Sequence, residues 1–382
     1  MSHEGFTPPL VFEPRIRKSP YFEATRRYGA KRYTIYNHMS MATCFTDAVD
    51  EYWRLVKDVT LWDVACERQV EVRGPDAARF VQRLTPRNLS KCKPGQCRYV
   101  VLTAQDGGII NDAVLSRVGE NHFWLSPGDG DVHLWAQGVA VNSGMDITVT
   151  EPDVSPLQLQ GPKSPLVARA LFGDWAAELK YYHLKEATLN GIPVVLARTG
   201  WSGEIGFEIF LRDASRGNEL WEAVMDAGRP HNIAPIGPSE IRSIEGGILS
   251  YGCDMTRADN PFVIGLDRLV DLDQEADFIG KEALRRIKAE GVKRRLVGVE
   301  IHCEPISLSL EDPWPVSQDG RVIGRMTRCA HSPRLEKNIG FANVPVEVSD
   351  IGTRLVVETP VGRAAATVVA WPFFLRSRNT VP

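Results

Sequence analysis

The stretch Arg198–Ile209 reads Arg-Thr-Gly-Trp-Ser-Gly-Glu-Ile-Gly-Phe-Glu-Ile and sets an aromatic residue and a carboxylate beside a glycine-rich turn. Glu208 lies between the apolar residues Phe207 and Ile209, an alternation that predicts a short strand. The glycines permit close approach of the backbone, and Trp201 offers a ring face for stacking. A carboxylate on this strand can accept two N–H bonds from a flat heterocycle such as a pterin. The alternative is a hairpin in which the tryptophan only packs and the glutamate is only solvated.

The composition is that of a soluble globular protein with more than one module. The chain has 382 residues, of which 43% are hydrophobic and 24% charged, so it is too long for one ordinary core. A net charge of -3 gives no basic surface, which argues against nucleic acid as a partner. The seven cysteines are scattered and odd in number, which predicts reduced thiols in a cytoplasmic protein. No signal peptide, membrane segment or metal-binding spacing of histidine and cysteine is found.

The order of predicted elements indicates an α+β fold in three parts. Residues 1–146, together with parts of 230–290, form a first α+β module, and residues 147–229 form a second, which carries the hairpin described above. Residues 291–382 predict a small antiparallel barrel or sandwich. The predicted strands of this last module are Leu296–Ile301, Arg321–Arg328, Arg354–Glu358 and Ala364–Val369.

Turn and helix signals give further expectations inside the first two modules. The pattern predicts strands at Arg98–Thr103 and Ile109–Ser116 on either side of a tight turn. Helices are predicted from near Gly74, with Pro75 and Asp76 in the first turn, over Lys163–Phe172 and from Glu240 through Ile248, with a polar, helix-like linker at Gln274–Arg286.

Asp112 is a carboxylate within an otherwise apolar strand that follows two glycines. A charge in such a place is costly unless it is hydrogen-bonded or used in function. The residue is therefore either an active-site carboxylate or a strand-edge aspartate satisfied by neighbouring backbone. Asp129 and Asp131 follow the next strand, and at least one of them is expected to cap the helix that begins there.

The stretch Arg198–Ile209 resembles the R-T-G-[YW]-[TS]-G-x-x-G-[FY]-E-[IL] segment of the aminomethyltransferase family, which includes the glycine-cleavage T-protein and folate-dependent demethylases. The resemblance runs from Arg15 to Phe374 and implies a three-domain cloverleaf with tetrahydrofolate in a central hole. It implies that Glu208 anchors the pterin and that Trp201 contacts its ring.

The same resemblance implies roles for residues outside the hairpin. The segment around Asp112 matches the family's G-G-[IV]-x-[DN]-D pattern, which implies a catalytic or substrate-orienting carboxylate with Asn111 as a polar neighbour. Ser126 begins the turn where T-proteins contact the cofactor, although this turn departs from their asparagine-rich pattern. The segment Arg328–Leu335 resembles a loop that reaches toward the folate, so Arg334 or Arg328 is expected to meet the glutamyl tail. Either arginine can instead be a solvated surface residue.

Other segments resemble the dimethylsulfoniopropionate demethylase branch of the family. The segment Gly237–Gly252 departs from the T-protein pattern, and no Gly-x-Gly-x-x-Gly motif of a fused flavin or nicotinamide domain is present. The branch implies methyl transfer from a sulfonium to tetrahydrofolate, giving methylmercaptopropionate and 5-methyltetrahydrofolate. The segments that carry this resemblance are Tyr33–His38, Trp62–Val72, Glu151–Leu157 and Ile244–Gly247.

A sulfonium donor sets requirements on the site. Aromatic faces at Trp201, Tyr36 and Phe210 would stabilise the cation, and Arg32 or Arg17 would bind the substrate carboxylate. The alternatives are transfer from another donor, such as an N-methyl betaine, a methoxy compound or an aminomethyl-lipoyl protein, and a folate-binding protein without turnover. The expected partners are a small-molecule methyl donor and folate, and the chain is expected to be a monomer or a homodimer.

Overall fold

The computed structural model describes residues 11–307, 310–360 and 362–375. Helices and strands alternate through the first two modules, and strands dominate the C-terminal one. The helices are α1 (Phe22–Arg27), α2 (Ala48–Lys57), α3 (Ala77–Leu84), α4 (Val132–Ala140), α5 (Ser164–Phe172), α6 (Asp174–Ala177), α7 (Gly217–Gly228), α8 (Glu240–Glu245) and α9 (Lys281–Glu290).

The strands form a hairpin, two sheets and a barrel. Those of the first two modules are β1 (Arg32–Tyr36), β2 (Met39–Cys44), β3 (Thr60–Asp63), β4 (Val70–Arg73), β5 (Gln96–Thr103), β6 (Ile109–Gly119), β7 (His122–Pro127), β8 (Thr148–Thr150), β9 (Ser155–Gln160), β10 (Leu184–Leu189), β11 (Ile192–Ala197), β12 (Gly206–Leu211) and β13 (Ala234–Pro235). Those of the C-terminal module are β14 (Arg294–His302), β15 (Pro315–Gln318), β16 (Arg321–Ser332), β17 (Lys337–Pro345), β18 (Arg354–Thr359) and β19 (Gly362–Val369).

The first sheet has the order β5-β6-β7-β4-β8, and all its pairings are antiparallel. The predicted hairpin is β5–β6, and the predicted helix after Pro75 is α3, whose Phe80 and Leu84 are buried in the core of this unit. Along β6, Ile109, Asn111 and Ala113 are buried, whereas the alternate residues Ile110, Asp112 and Val114 are only partly buried. This alternation puts Asp112 on the opposite face of the sheet from Asn111.

The second sheet has the order β10-β11-β12-β9-β3-β13. It includes β3 and β13, which come from the parts of the sequence that the predicted boundaries give to the first module. β3 pairs antiparallel with β9, so that Trp62 lies opposite Gln158. All four residues of β3 are buried. A strand buried on both faces shows no alternation, so its sequence gives no indication of which sheet it joins.

The C-terminal strands close into a six-stranded antiparallel barrel, because β14 pairs with both β17 and β19. The four predicted strands are present, and β15 and β17 add two that the sequence pattern did not predict. In β17, the residues from Asn338 to Val344 are all buried, so the strand lacks the two-residue alternation on which the prediction relied. The α+β fold class is confirmed, with a barrel rather than a sandwich at the C-terminus.

Two helix predictions differ from the structure in length. α8 ends at Glu245 because Gly246 and Gly247 follow it, and Gly247 adopts a positive φ of 65°. In the predicted linker Gln274–Arg286, only the residues from Lys281 onward are helical, and they begin α9. Across the described ranges, every helix is too short or too polar to traverse a lipid bilayer.

Candidate active site

The two sheets, the barrel and the loops between them enclose a cavity of about 750 Å³. This volume lies within the usual range for small-molecule sites, which are mostly apolar with a few convergent polar groups. Its aromatic and carboxylate lining residues are Tyr36, Trp62, Glu67, Tyr99, Asp112, Tyr181, Tyr182, Trp201, Glu208, Glu240, Tyr251 and Trp371.

Glu208 lies on β12 and lines the cavity, although only 3% of its surface is exposed. Its Oε1 accepts a hydrogen bond from Gln158 Nε2 at 2.9 Å, and its Oε2 accepts one from the Thr199 hydroxyl. Burial raises the pKa of Glu208, and these two hydrogen bonds oppose that shift. A carboxylate has about four acceptor positions. Glu208 therefore retains capacity to accept N–H groups from a ligand.

Trp201 lies in the turn before β12 and is partly buried in the wall of the cavity. The Arg328 guanidinium lies 5.7 Å from the centre of its ring system, a cation–π distance. The turn is held by Arg242, whose Nη2 donates to the Gly203 carbonyl at 3.1 Å. Gly203 has a φ of +69°, and a β-carbon there would lie 3.2 Å from Arg242 Nη1. Glycine at this position allows the turn to pack against the guanidinium.

Asp112 lies on β6 and faces the cavity from the first sheet. Its Oδ2 accepts a hydrogen bond from the Tyr99 hydroxyl at 2.8 Å, and its buried Oδ1 has no hydrogen-bond partner among the described residues. Burial raises its pKa to about 6, and the hydrogen bond from Tyr99 limits the rise. A carboxylate with a raised pKa in a cleft is a candidate for proton transfer or for orienting a substrate.

Glu67 is a cavity carboxylate that the sequence prediction did not single out. It lies in the turn between β3 and β4, within the segment Trp62–Val72. Burial raises its pKa well above the usual value, and the nearby charges of Glu208 and Asp112 raise it further. The fold thus brings Glu67, Asp112 and Glu208 together with a fourth carboxylate, Glu240, from distant parts of the chain to one cavity. The only signal in the sequence was an acidic residue among the apolar residues that follow a buried strand.

Tyr36 reaches the cavity at the end of the β1–β2 hairpin. The next residue, Asn37, joins this hairpin to the turn after β7: its Nδ2 donates to the Gly128 carbonyl at 3.1 Å, and its Oδ1 accepts from Gly130 N at 2.6 Å. Ser126, before that turn, also lines the cavity, and its hydroxyl donates to Gln69 Oε1 at 2.7 Å.

The capping prediction for this turn was wrong. Asp131 occupies the N-cap position of α4, but its side chain makes no capping hydrogen bond. Instead, its Oδ1 lies 3.3 Å from His38 Nε2. Asp129 accepts a hydrogen bond from Asn37 N at 2.7 Å. Both carboxylates therefore hold the β1–β2 hairpin in place.

Arg328 lines the cavity but is already engaged in an ion pair. Its Nε donates to Asp254 Oδ2 at 2.8 Å, its Nη1 to the Ser243 hydroxyl at 3.1 Å, and its Nη2 to the Ile248 carbonyl at 2.6 Å. These contacts tie barrel strand β16 to the loop after α8. Arg328 therefore positions the cavity wall and Trp201, and it offers little to the glutamyl tail of a folate.

Five other residues predicted to bind ligand do not line the cavity. Asn111 faces the other side of β6, where its Nδ2 donates to the Asp129 carbonyl at 2.9 Å. Phe210 is 1% exposed and packs against Trp124 between the two sheets. The three arginines lie elsewhere: Arg334 stacks 4.1 Å from the centre of the Phe374 ring, Arg17 donates to Glu151 at 2.6 Å, and Arg32 lies on the exposed face of β1.

Arg268 is an arginine that the prediction missed. It lines the cavity and is exposed, which places it at the cavity's edge. Within the described ranges it has neither an ion pair nor a hydrogen bond. An exposed guanidinium in this position is suited to binding a carboxylate of a ligand.

The lining residues fit tetrahydrofolate. Glu208 has unused acceptor capacity for the N–H groups of a pterin, Trp201 and Tyr36 supply aromatic surface, and Arg268 at the edge matches a negatively charged tail. The buried, unpartnered Oδ1 of Asp112 adds a polar atom that the protein alone leaves unsatisfied.

Comparison with known proteins agrees with this geometry. The GCVT N-terminal domain model matches residues 21–274, and the glycine cleavage T-protein C-terminal barrel domain model matches residues 294–374. Dimethylsulfoniopropionate demethylase DmdA of Ruegeria pomeroyi is 36% identical over 354 residues, covering 93% of this chain and 96% of that protein. An aminomethyltransferase of Halalkalibacterium halodurans is 30% identical, covering 94% of this chain and 99% of its own length.

The crystal structure of the glycine cleavage system aminomethyltransferase T from Bartonella henselae has the same fold. It superposes with a TM-score of 0.83 at 23% identity, covering 94% of this chain and 98% of that one. The predicted three-domain cloverleaf is thereby confirmed. The chain belongs to the aminomethyltransferase (glycine-cleavage T-protein) family of tetrahydrofolate-dependent transferases, as its sequence predicted.

Proposed function

We propose that this protein demethylates dimethylsulfoniopropionate, with tetrahydrofolate as the methyl acceptor, to give methylmercaptopropionate and 5-methyltetrahydrofolate. The observation that carries the proposal is the charge of the cavity. Glu67, Asp112, Glu208 and Glu240 all line it, whereas of the two lining arginines Arg328 is paired with Asp254 and Arg268 lies at the edge. Anionic and aromatic surroundings of this kind suit a donor with a positive charge next to the transferred methyl group. The identity to a protein named as a dimethylsulfoniopropionate demethylase supports the same donor.

The protein's task in this reaction is positioning. A sulfonium methyl carbon is already activated, so its transfer breaks the carbon–sulfur bond and leaves a neutral thioether. When bound, tetrahydrofolate supplies the nucleophilic nitrogen that accepts the methyl group, with loss of one proton. Trp201 and Tyr36 would stabilise the donor cation, and Asp112 would orient the reacting groups or receive the proton at its unpartnered Oδ1.

The other proposed contacts with tetrahydrofolate use the charged side chains of Glu208 and Arg268. Glu208 would hold the pterin from β12, and Arg268 would meet the glutamyl carboxylates at the cavity's edge. This role is assigned to Arg268 and not to Arg334, because Arg334 stacks on Phe374 and does not line the cavity. Tyr99 would keep the Asp112 carboxylate in place through its hydroxyl.

We expect Glu208→Gln to weaken tetrahydrofolate binding at least tenfold, as measured by calorimetry. The amide keeps the shape of the side chain but loses charge-assisted hydrogen bonds, each contributing about 1.5 to 3 kcal/mol. Asp112→Asn is the matched control, because it neutralises another cavity carboxylate and should leave folate affinity nearly intact. An unchanged affinity in Glu208→Gln would contradict the anchoring role.

A panel of methyl donors assayed with tetrahydrofolate tests the proposed reaction. We expect the highest rate with dimethylsulfoniopropionate and no requirement for an oxidant or a lipoyl carrier protein. The panel includes an N-methyl betaine, a methoxy compound and an aminomethyl-lipoyl protein, the last because relatives such as the one from Halalkalibacterium halodurans are named aminomethyltransferases. A rate with only one of these would assign that donor instead, and folate binding without any turnover would indicate a non-catalytic protein.

A further inference from the structure

Glu67 differs from the cavity carboxylates Glu208 and Asp112 because the described residues supply no hydrogen-bond donor or cation to its carboxylate. Glu208 is held by Gln158 and Thr199, and Asp112 is held by Tyr99. The side chain of Glu67 instead faces the negative charges of Glu208 and Asp112, and both of those carboxylates raise its pKa. Its ionised form needs a cation that the protein does not provide.

The neighbouring residues fix the position of Glu67. Arg68, the next residue along the chain, turns away and pairs with Glu151 through its Nε at 3.1 Å. The turn itself is fixed, because the Glu67 backbone N–H donates to the Val64 carbonyl at 2.9 Å and its carbonyl accepts from Gln69 Nε2 at 2.5 Å. Glu67 is therefore held in the cavity by its backbone, while its carboxylate stays available to a ligand.

We propose that Glu67 is the counter-ion for the positive centre of the methyl donor and makes the site select an onium cation over a neutral molecule of the same shape. This inference rests on the proposed function. The pterin contacts are assigned to Glu208, so Glu67 is left for the second ligand. Transfer of the methyl group converts the cation to a neutral thioether, which loses its attraction to Glu67 and can leave the site.

Kinetics give one readout. The donor carries its positive charge when it binds, and part of that charge persists in the transition state. Glu67 therefore stabilises the bound donor and the transition state to a similar extent. We expect Glu67→Gln to raise KM for the sulfonium donor about tenfold and to change kcat less than threefold. Glu67→Asp keeps the charge and should recover part of the affinity. A fall in kcat with an unchanged KM would overturn the counter-ion role.

Binding of unreactive ligands gives a readout that does not depend on turnover. The probes are 3-(trimethylammonio)propanoate and its carbon isostere 4,4-dimethylpentanoate, which keeps the carboxylate but lacks the positive centre; each is titrated into protein without tetrahydrofolate so that no acceptor is present. We expect the wild type to prefer the ligand with the positive centre at least tenfold and Glu67→Gln to reduce this preference to within about twofold. The affinity for the isostere should not fall, which also shows that the variant is folded.

Glu240→Gln is the matched control. Glu240 is also a cavity carboxylate, and burial raises its pKa as it does for Glu67, but the nearby Arg328 guanidinium opposes that rise, so Glu240 already has a cation beside it. This variant should keep the preference for the cation. A preference retained in Glu67→Gln would overturn the role of Glu67 while leaving the sulfonium donor in place. No preference in the wild type would overturn both.

Discussion

Asp112→Asn is expected to lower the turnover rate by about two orders of magnitude, the lower range for a positioned acid–base or orienting group. The asparagine can still accept the hydrogen bond from Tyr99, so the local structure should persist. What is lost is the charge at Oδ1, the buried atom without a partner among the described residues. Steady-state kinetics on both proteins, with folate affinity measured in parallel, test this.

The stability of this variant has a predictable dependence on pH. Burial raises the pKa of Asp112 from 3.8 to about 6, so the folded protein binds this proton more tightly than the unfolded chain does. Ionisation of Asp112 therefore costs folding free energy as the pH rises, and asparagine removes that cost. The variant should match the wild type near pH 4, gain relative stability up to about pH 6, and keep a constant advantage above it.

Asp63→Asn is the matched control for the kinetic effect. Burial also raises the pKa of Asp63 to about 6, but its carboxylate is bonded to Ser19 and the backbone of Ala65, and the residue does not line the cavity. This variant should turn over within about threefold of the wild type, since it lacks any positioned acid–base role. If Asp112→Asn unfolds or turns over normally, Asp112 is a structural carboxylate.

Arg242→Met is expected to lower the free energy of unfolding by about 3 to 5 kcal/mol, the usual cost of removing one partner from a buried ion pair. The Arg242 side chain is fully buried, and its Nε donates to Glu204 Oε1 at 2.8 Å. Its Nη1 also lies 3.7 Å from Glu245 Oε2. Glu245 in turn accepts hydrogen bonds from Tyr52 at 2.8 Å and from Ser332 of the barrel at 2.5 Å. The guanidinium thus stabilises contacts between the modules.

Urea unfolding of Arg242→Met and Arg216→Met separates the effect of burial from the effect of charge. Arg216 also pairs with a glutamate, Glu219, through its Nε and Nη2, but at the surface. Water and salt screen an exposed ion pair, so Arg216→Met should unfold close to the wild type. A change below about 1 kcal/mol in Arg242→Met would show that the buried pair does not stabilise the fold.

The sequence predicted those parts of the site that depend on local patterns. Glu208 and Trp201 belong to one turn and strand, and Asp112 follows a recognisable double glycine, so each could be assigned a place from neighbouring residues. Phe210 shows the limit of this reasoning. It shares a face of β12 with Glu208, as the alternation predicted, but it is buried against Trp124 of the first sheet and does not line the cavity.

The remaining features depend on contacts between segments far apart in the sequence. Glu67 became a candidate only when the fold placed it with Asp112 and Glu208. The sequence could not indicate that Arg328 is paired with Asp254, 74 residues away, or that Arg268 lies at the edge of the cavity. In the same way, β3 pairs with β9 and β13, which are distant in the sequence, and no local signal indicates that pairing.

The most direct test of the central claim follows the methyl group itself. Dimethylsulfoniopropionate carrying ¹³C in its methyl groups is incubated with the protein and tetrahydrofolate under anaerobic conditions, and the products are followed by NMR. We predict that label appears in the N-methyl group of 5-methyltetrahydrofolate in equal amount to the methylmercaptopropionate formed. Label that stays entirely in the sulfonium, while a nitrogen, oxygen or lipoyl-bound donor transfers its carbon to the folate, would contradict the proposed reaction.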